Sequence, residues 1–71
     1  MTADAVDLYT KIAAELERAA AHCRVAAQHY QGREIPRGGA HGLAAYGYVV
    51  KAQALLNDTA RHYAERLTPE V

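Results

Sequence analysis

Four histidines stand in a chain of 71 residues, at His22, His29, His41 and His62. Neutral imidazole is a good ligand for zinc, copper or nickel, and facing helices of a bundle can supply such ligands. His22 and His29 are seven residues apart, two helical turns or roughly 10 Å, so one ion cannot take both without help. His29 with His41 is therefore the pair for a transition metal such as zinc, with His22 and Tyr48 as neighbours. A di-iron site is not indicated, because Glu15, Glu17 and Glu34 have no histidine three residues later. The alternative is that these histidines are boundary residues, with one ring face on Ala and Tyr and one nitrogen in water.

Other chemistry is sparse. There is no serine, and Cys23 is the only cysteine, so no disulfide can form within the chain. Cys23 falls on an apolar helical column and is expected to be buried and inert. Its neighbour His22 points about 100° away on a helix and does not automatically activate the thiol. Arg33 and Arg37 flank a turn, with Gly38 and Gly39 just beyond, where a helix N-terminus favours an anion. The phosphate-loop order is missing, and Glu34 lies between the arginines, so a local Glu34–Arg37 pair is the competing reading. We expect no enzyme.

The elements that must position these residues are two long helices. From Ala5 to Tyr30 the residues Ala5, Tyr9, Ile12, Leu16, Ala19, Cys23, Ala26 and Tyr30 keep a 4-3-4-3 spacing and all are apolar. That is a heptad seam. Val6, Ala13, Ala20 and Ala27 add a third column, giving a stripe wide enough for more than one neighbour. Gly32 supplies a helix stop, and Pro36 suits the first position of a second helix. In that helix Ala45, Val49, Ala52, Leu56, Ala60, Tyr63 and Leu67 keep helical spacing, and Thr68-Pro69 ends it. Gly38, Gly39, Gly42 and Gly47 weaken its first half, each by roughly 1 kcal/mol relative to Ala, which implies close packing against another backbone.

The pattern predicts an all-α chain with a helix over about 3–31, a turn over about 32–36 and a helix over about 37–67. A short connector makes the helices antiparallel, and a turn centred on Ile35 pairs residues whose numbers total about 70. Leu8, Glu15, His22 and His29 should then face His62, Leu55, Tyr48 and His41 along one edge of the seam.

Sixteen alanines, no Phe and no Trp leave little bulk for a core. A domain this small rarely gains more than ~3–5 kcal/mol from one core. The hairpin is therefore expected to form a homodimeric four-helix bundle, through Leu16, Cys23, Tyr30, Tyr46, Tyr48, Val49, Leu56 and Tyr63, or to hold another helical protein. Eight basic and eight acidic residues balance, which disfavours nucleic acid as a partner. The longest charge-free stretch, Gly38 to Val50, is too short to span a bilayer, and the acidic start Met1-Thr2-Ala3-Asp4 is unlike a signal peptide, so the expected location is cytoplasmic.

The run His29-Tyr30-Gln31-Gly32-Arg33-Glu34-Ile35-Pro36-Arg37, followed by Ala40-His41-Gly42-Leu43-Ala44-Ala45-Tyr46-Gly47, resembles the turn and second helix of small prokaryotic helical-hairpin proteins of unknown function, archaeal domains among them. The likeness covers about half the chain and implies a hairpin fold, with no activity to carry over. The hairpin is also similar to one helix-turn-helix unit of tetratricopeptide repeats, without the Trp or a second copy.

Overall fold

A computed structural model describes residues 2–69 of the chain. Two helices, α1 (Thr2–Gln31) and α2 (Ile35–Arg66), pack along their length as an all-α hairpin. α1 holds neither Gly nor Pro and is rich in Ala, the strongest helix former. α2 starts with Pro36 in its first turn, where the missing N–H has no partner to lose. It closes at Leu67, whose extended backbone donates its N–H to the Tyr63 carbonyl at 3.0 Å.

The turn is tighter than the spacing predicts, because Ile35 is already helical and only residues 32–34 lie between the helices. Arg33, not Gly32, takes the left-handed conformation, with φ 62°. The Arg33 N–H donates to the Tyr30 carbonyl at 3.0 Å, and the Glu34 N–H to the His29 carbonyl at 2.8 Å. These two bonds make a Schellman cap with the left-handed residue one place beyond the glycine. Glu34 does not cap α2 with its side chain; its carboxylate accepts from Arg37 at 2.9 Å, the local pair that competed with an anion site.

Apart from Ile12, the contact line between the helices is made of small residues. Ile12, Ala19 and Ala26 on α1 and Gly38, Ala45 and Ala52 on α2 are buried, each set spaced by seven. Among the described residues α1 and α2 are the only helices, so the two columns are covered by each other. Of the two columns in the α1 seam, this one lies inside; the other, Tyr9, Leu16, Cys23 and Tyr30, is exposed. The expectation of a buried Cys23 is thus corrected, because a pair of helices offers one line of contact and the Ala column, which lets the backbones approach, occupies it.

Close packing is met at Gly38 alone of the four α2 glycines, and against a ring rather than a backbone. A Cβ there would stand 2.7, 2.8 and 3.0 Å from Cε2, Cδ2 and Cγ of Tyr30. At Gly42 and Gly47 it would meet nothing within 4 Å. Gly38→Ala must therefore expel the ring and should destabilise the hairpin by about 1–3 kcal/mol. Gly47→Ala should stabilise it by about 0.5–1 kcal/mol through helix propensity, raising the melting temperature by several degrees. Thermal melting of both variants checks the pair; Gly38→Ala melting at or above the wild type would mean that the Tyr30 ring is not held there.

Candidate functional site

The two edges of the seam differ in chemistry. On one edge, residues three places beyond the buried columns come together: Leu8, Glu15, His22 and His29 from α1, and His41, Tyr48, Leu55 and His62 from α2. On the other lie residues four places beyond: Leu16, Cys23 and Tyr30 from α1, and Gly42, Val49, Leu56 and Tyr63 from α2, the last set beginning from Gly38, Ala45, Ala52 and Thr59. Helices running in opposite directions put equal offsets on the same side of the pair, which is why each edge is a two-helix surface.

The first edge carries a file of four rings that alternate between helices. His29 stacks on His41 with centroids 5.3 Å apart, His41 on His22 at 5.2 Å, and His22 on Tyr48 at 5.5 Å. All four residues are half-buried. The alternation follows from the heptad: rings seven residues apart on one helix are roughly 10 Å apart, leaving room for one ring from the other helix between them. Register pairs totalling 70 are met, with His29 beside His41 and His22 beside Tyr48. At the open end, Leu8 and His62 line one cleft with Asp4, Asp58 and Tyr63; midway, Glu15 and Leu55 line another.

Spacing alone did not single out the closest polar contact of the file. Nδ1 of His22 and Nδ1 of His41 are 3.0 Å apart, hydrogen-bond distance, so one ring must donate and the other accept. The signal was available: His41, the register partner of His29, falls between His29 and His22 one heptad away on α1, as a knob between two residues of a hole. The file has charged ends. Lys51 Nζ lies 4.9 Å from the Tyr48 ring centroid and Arg18 Cζ 6.0 Å, both over the ring, while His29 Nδ1 is 3.5 Å from Glu34 Oε1. Arg18 also pairs with Glu15 at 2.6 Å. Among the described residues no three His, Cys, Asp or Glu side chains converge as a set that could hold a metal ion. The candidate ligands His22, His29 and His41 are thus brought into one file, with two nitrogens, not three, meeting at one point.

The second edge is apolar and open. Tyr9 is 54% exposed, Leu16 45%, Tyr30 47%, Val49 42%, Leu56 42% and Tyr63 56%, and Cys23 shares the surface. Tyr46, 65% exposed, flanks it one turn from both Gly42 and Val49. Seven of the eight residues expected at an interface therefore lie on or beside one face. Tyr48 does not; it lies on the opposite edge, held by His22 and the two cations. No helix among the described residues is long and apolar enough to cross a membrane. Compared with known proteins, the chain matches no family model, no curated protein and no solved structure.

Proposed function

We propose that the chain is a non-enzymatic assembly module that pairs with a second copy of itself through the Leu16–Val49 face, making a four-helix bundle. The observation that carries this reading is the thickness of the hairpin. Its extents are 55 × 24 × 13 Å, a single layer of helix, whereas a domain needs two packed layers to enclose a core. The radius of gyration is 16.7 Å against roughly 11 Å for a compact chain of this length.

Surface area gives the size of what is missing. The chain exposes 5671 Å². A compact monomer of this mass exposes roughly 4,300 Å², so the excess is on the order of 1,300 Å², somewhat more than the ~800 Å² each partner contributes to a standard interface. A second copy fits best, because closed two-fold pairing is the commonest assembly and one self-complementary apolar face suffices for it. The neutral overall charge adds no self-repulsion. Gly42, open on this face, gives a partner backbone room to approach. Such a module sits naturally in the cytoplasm, where a lone free thiol is ordinary. A further helical protein would then be held on the outer side of α2, where Leu43 and Val50 are exposed.

Sedimentation equilibrium at low micromolar concentration is the test. Twice the chain mass is expected, with a melting temperature that rises with concentration. A folded species of single chain mass, melting independently of concentration, would overturn the proposal.

A further inference from the structure

The ring file does something that the assembly reading does not require, and it lies on the edge opposite the apolar face. Nδ1 of His22, from α1, and Nδ1 of His41, from α2, stand 3.0 Å apart. Both rings are half-buried, and each is braced on its other side, His22 by Tyr48 and His41 by His29. The structure thus holds two ligand-competent nitrogens from different helices close together and limits the freedom of both rings.

We propose that His22 and His41 form a two-imidazole site for a divalent transition ion, copper or nickel before zinc, that clips α1 to α2. The spacing supports this preference. Nitrogens ~2.0–2.1 Å from an ion and separated by the observed 3.0 Å subtend roughly 90–97°, the angle between neighbouring ligands in square-planar or octahedral geometry. A tetrahedral ion such as zinc needs the nitrogens roughly 0.3 Å further apart and so fits the observed spacing less well. Copper also leads the ordinary affinity order for nitrogen sites.

The chemistry balances without an oxidant or a second reactant. Two neutral imidazoles share one hydrogen bond in the ion-free hairpin; on binding, the donor ring moves its proton from Nδ1 to its own Nε2 through water. Each ring then gives one Nδ1 lone pair to the ion, and no net proton is released. Water fills the remaining positions, since no third His, Cys, Asp or Glu among the described residues converges with the pair. The clip joins residues nineteen apart in sequence across the turn and would supply the staple that a small hairpin without a disulfide lacks.

The experiment uses the full chain without a histidine tag. Copper(II) chloride, nickel(II) chloride and zinc chloride are titrated separately, following binding by calorimetry and the histidine ring signals by NMR. One ion per chain is expected, copper binding most tightly, and substoichiometric copper should broaden the His22 and His41 signals before those of His62. His22→Gln or His41→Gln should each weaken binding by at least the 10- to 100-fold seen when a mere outer partner of a ligand is lost. His62→Gln should bind as the wild type does. Should either file variant fail to fold, the broadening pattern of the wild type decides alone. Copper that broadens His62 or the chain ends first, or binding unchanged in folded His22→Gln or His41→Gln, would overturn the site.

Discussion

Leu16→Asp should turn the assembled protein into single chains, raising the dissociation constant by more than about 100-fold, or ~3 kcal/mol. Within one hairpin Leu16 is 45% exposed, so an Asp there would remain in water and, as an ordinary surface change, cost little. Only if a partner covers that face does the carboxylate become buried and unpaired. The prediction thus separates a dimer contact from an intrachain contact, because the two burdens fall on different observables: mass in the first case, helicity in the second. Leu43→Asp is the matched control. Leu43 is more exposed, at 72%, but lies on the outer side of α2, away from Val49 and Leu56, and its substitution should leave the dimer mass unchanged. Sedimentation of both variants, with circular dichroism to monitor helicity, checks the pair. A Leu16→Asp protein that keeps the wild-type mass would remove Leu16 from any interface.

Ala52→Leu should destabilise the hairpin itself by about 2 kcal/mol or more, lowering the melting temperature by on the order of 10 °C. Ala52 is 1% exposed and sits on the contact line with Ala45 and Gly38, opposite the column of Ile12, Ala19 and Ala26. Three added carbons have nowhere to go but between the backbones, which must separate. The loss is large relative to the ~3–5 kcal/mol that one core of this size supplies. Separation should also open the 3.0 Å contact between His22 and His41, so the ring signals of both should move together with the loss of stability. Ala54→Leu, at an exposed position two residues along, should change stability by no more than about 0.5 kcal/mol. Equal melting of Ala52→Leu and the wild type would show that the helices are not in close contact there.

The surface ion pairs contribute less to any of these outcomes. Arg61–Asp58 is an exposed pair three residues apart, and Arg18–Glu15 has the same spacing with Arg18 exposed and Glu15 half-buried at the seam edge; helix-surface pairs of this kind are worth roughly 0.3–0.5 kcal/mol. The fold rests on the Ala contact line and on the rings beside it. The two substitutions accordingly act at different contacts, Ala52 on the line within one hairpin and Leu16 on the open face.

Sequence by itself determined the two helices, their antiparallel order and their register. Unbroken heptad spacing over α1, a breaker only at Gly32 to Pro36, and a connector too short for any other arrangement leave little freedom, and the pairing of His29 with His41 and His22 with Tyr48 follows by counting. What counting could not decide is which of two equally spaced apolar columns turns inward. Periodicity scores Ile12, Ala19 and Ala26 the same as Leu16, Cys23 and Tyr30, since both repeat every seven residues. Tertiary packing broke the tie. Putting the small column inside brings the backbones close, seats the Tyr30 ring on Gly38 and lets four rings interleave on one edge, while the bulky column is left on an open face. The same limit applies at the turn: a glycine marks where the helix must stop, but only the closed geometry of the cap put the left-handed strain on Arg33, one residue further on. Periodicity records which side chains share a face of their own helix; the depth to which each face is buried depends on the distance between two backbones, which is a property of the pair.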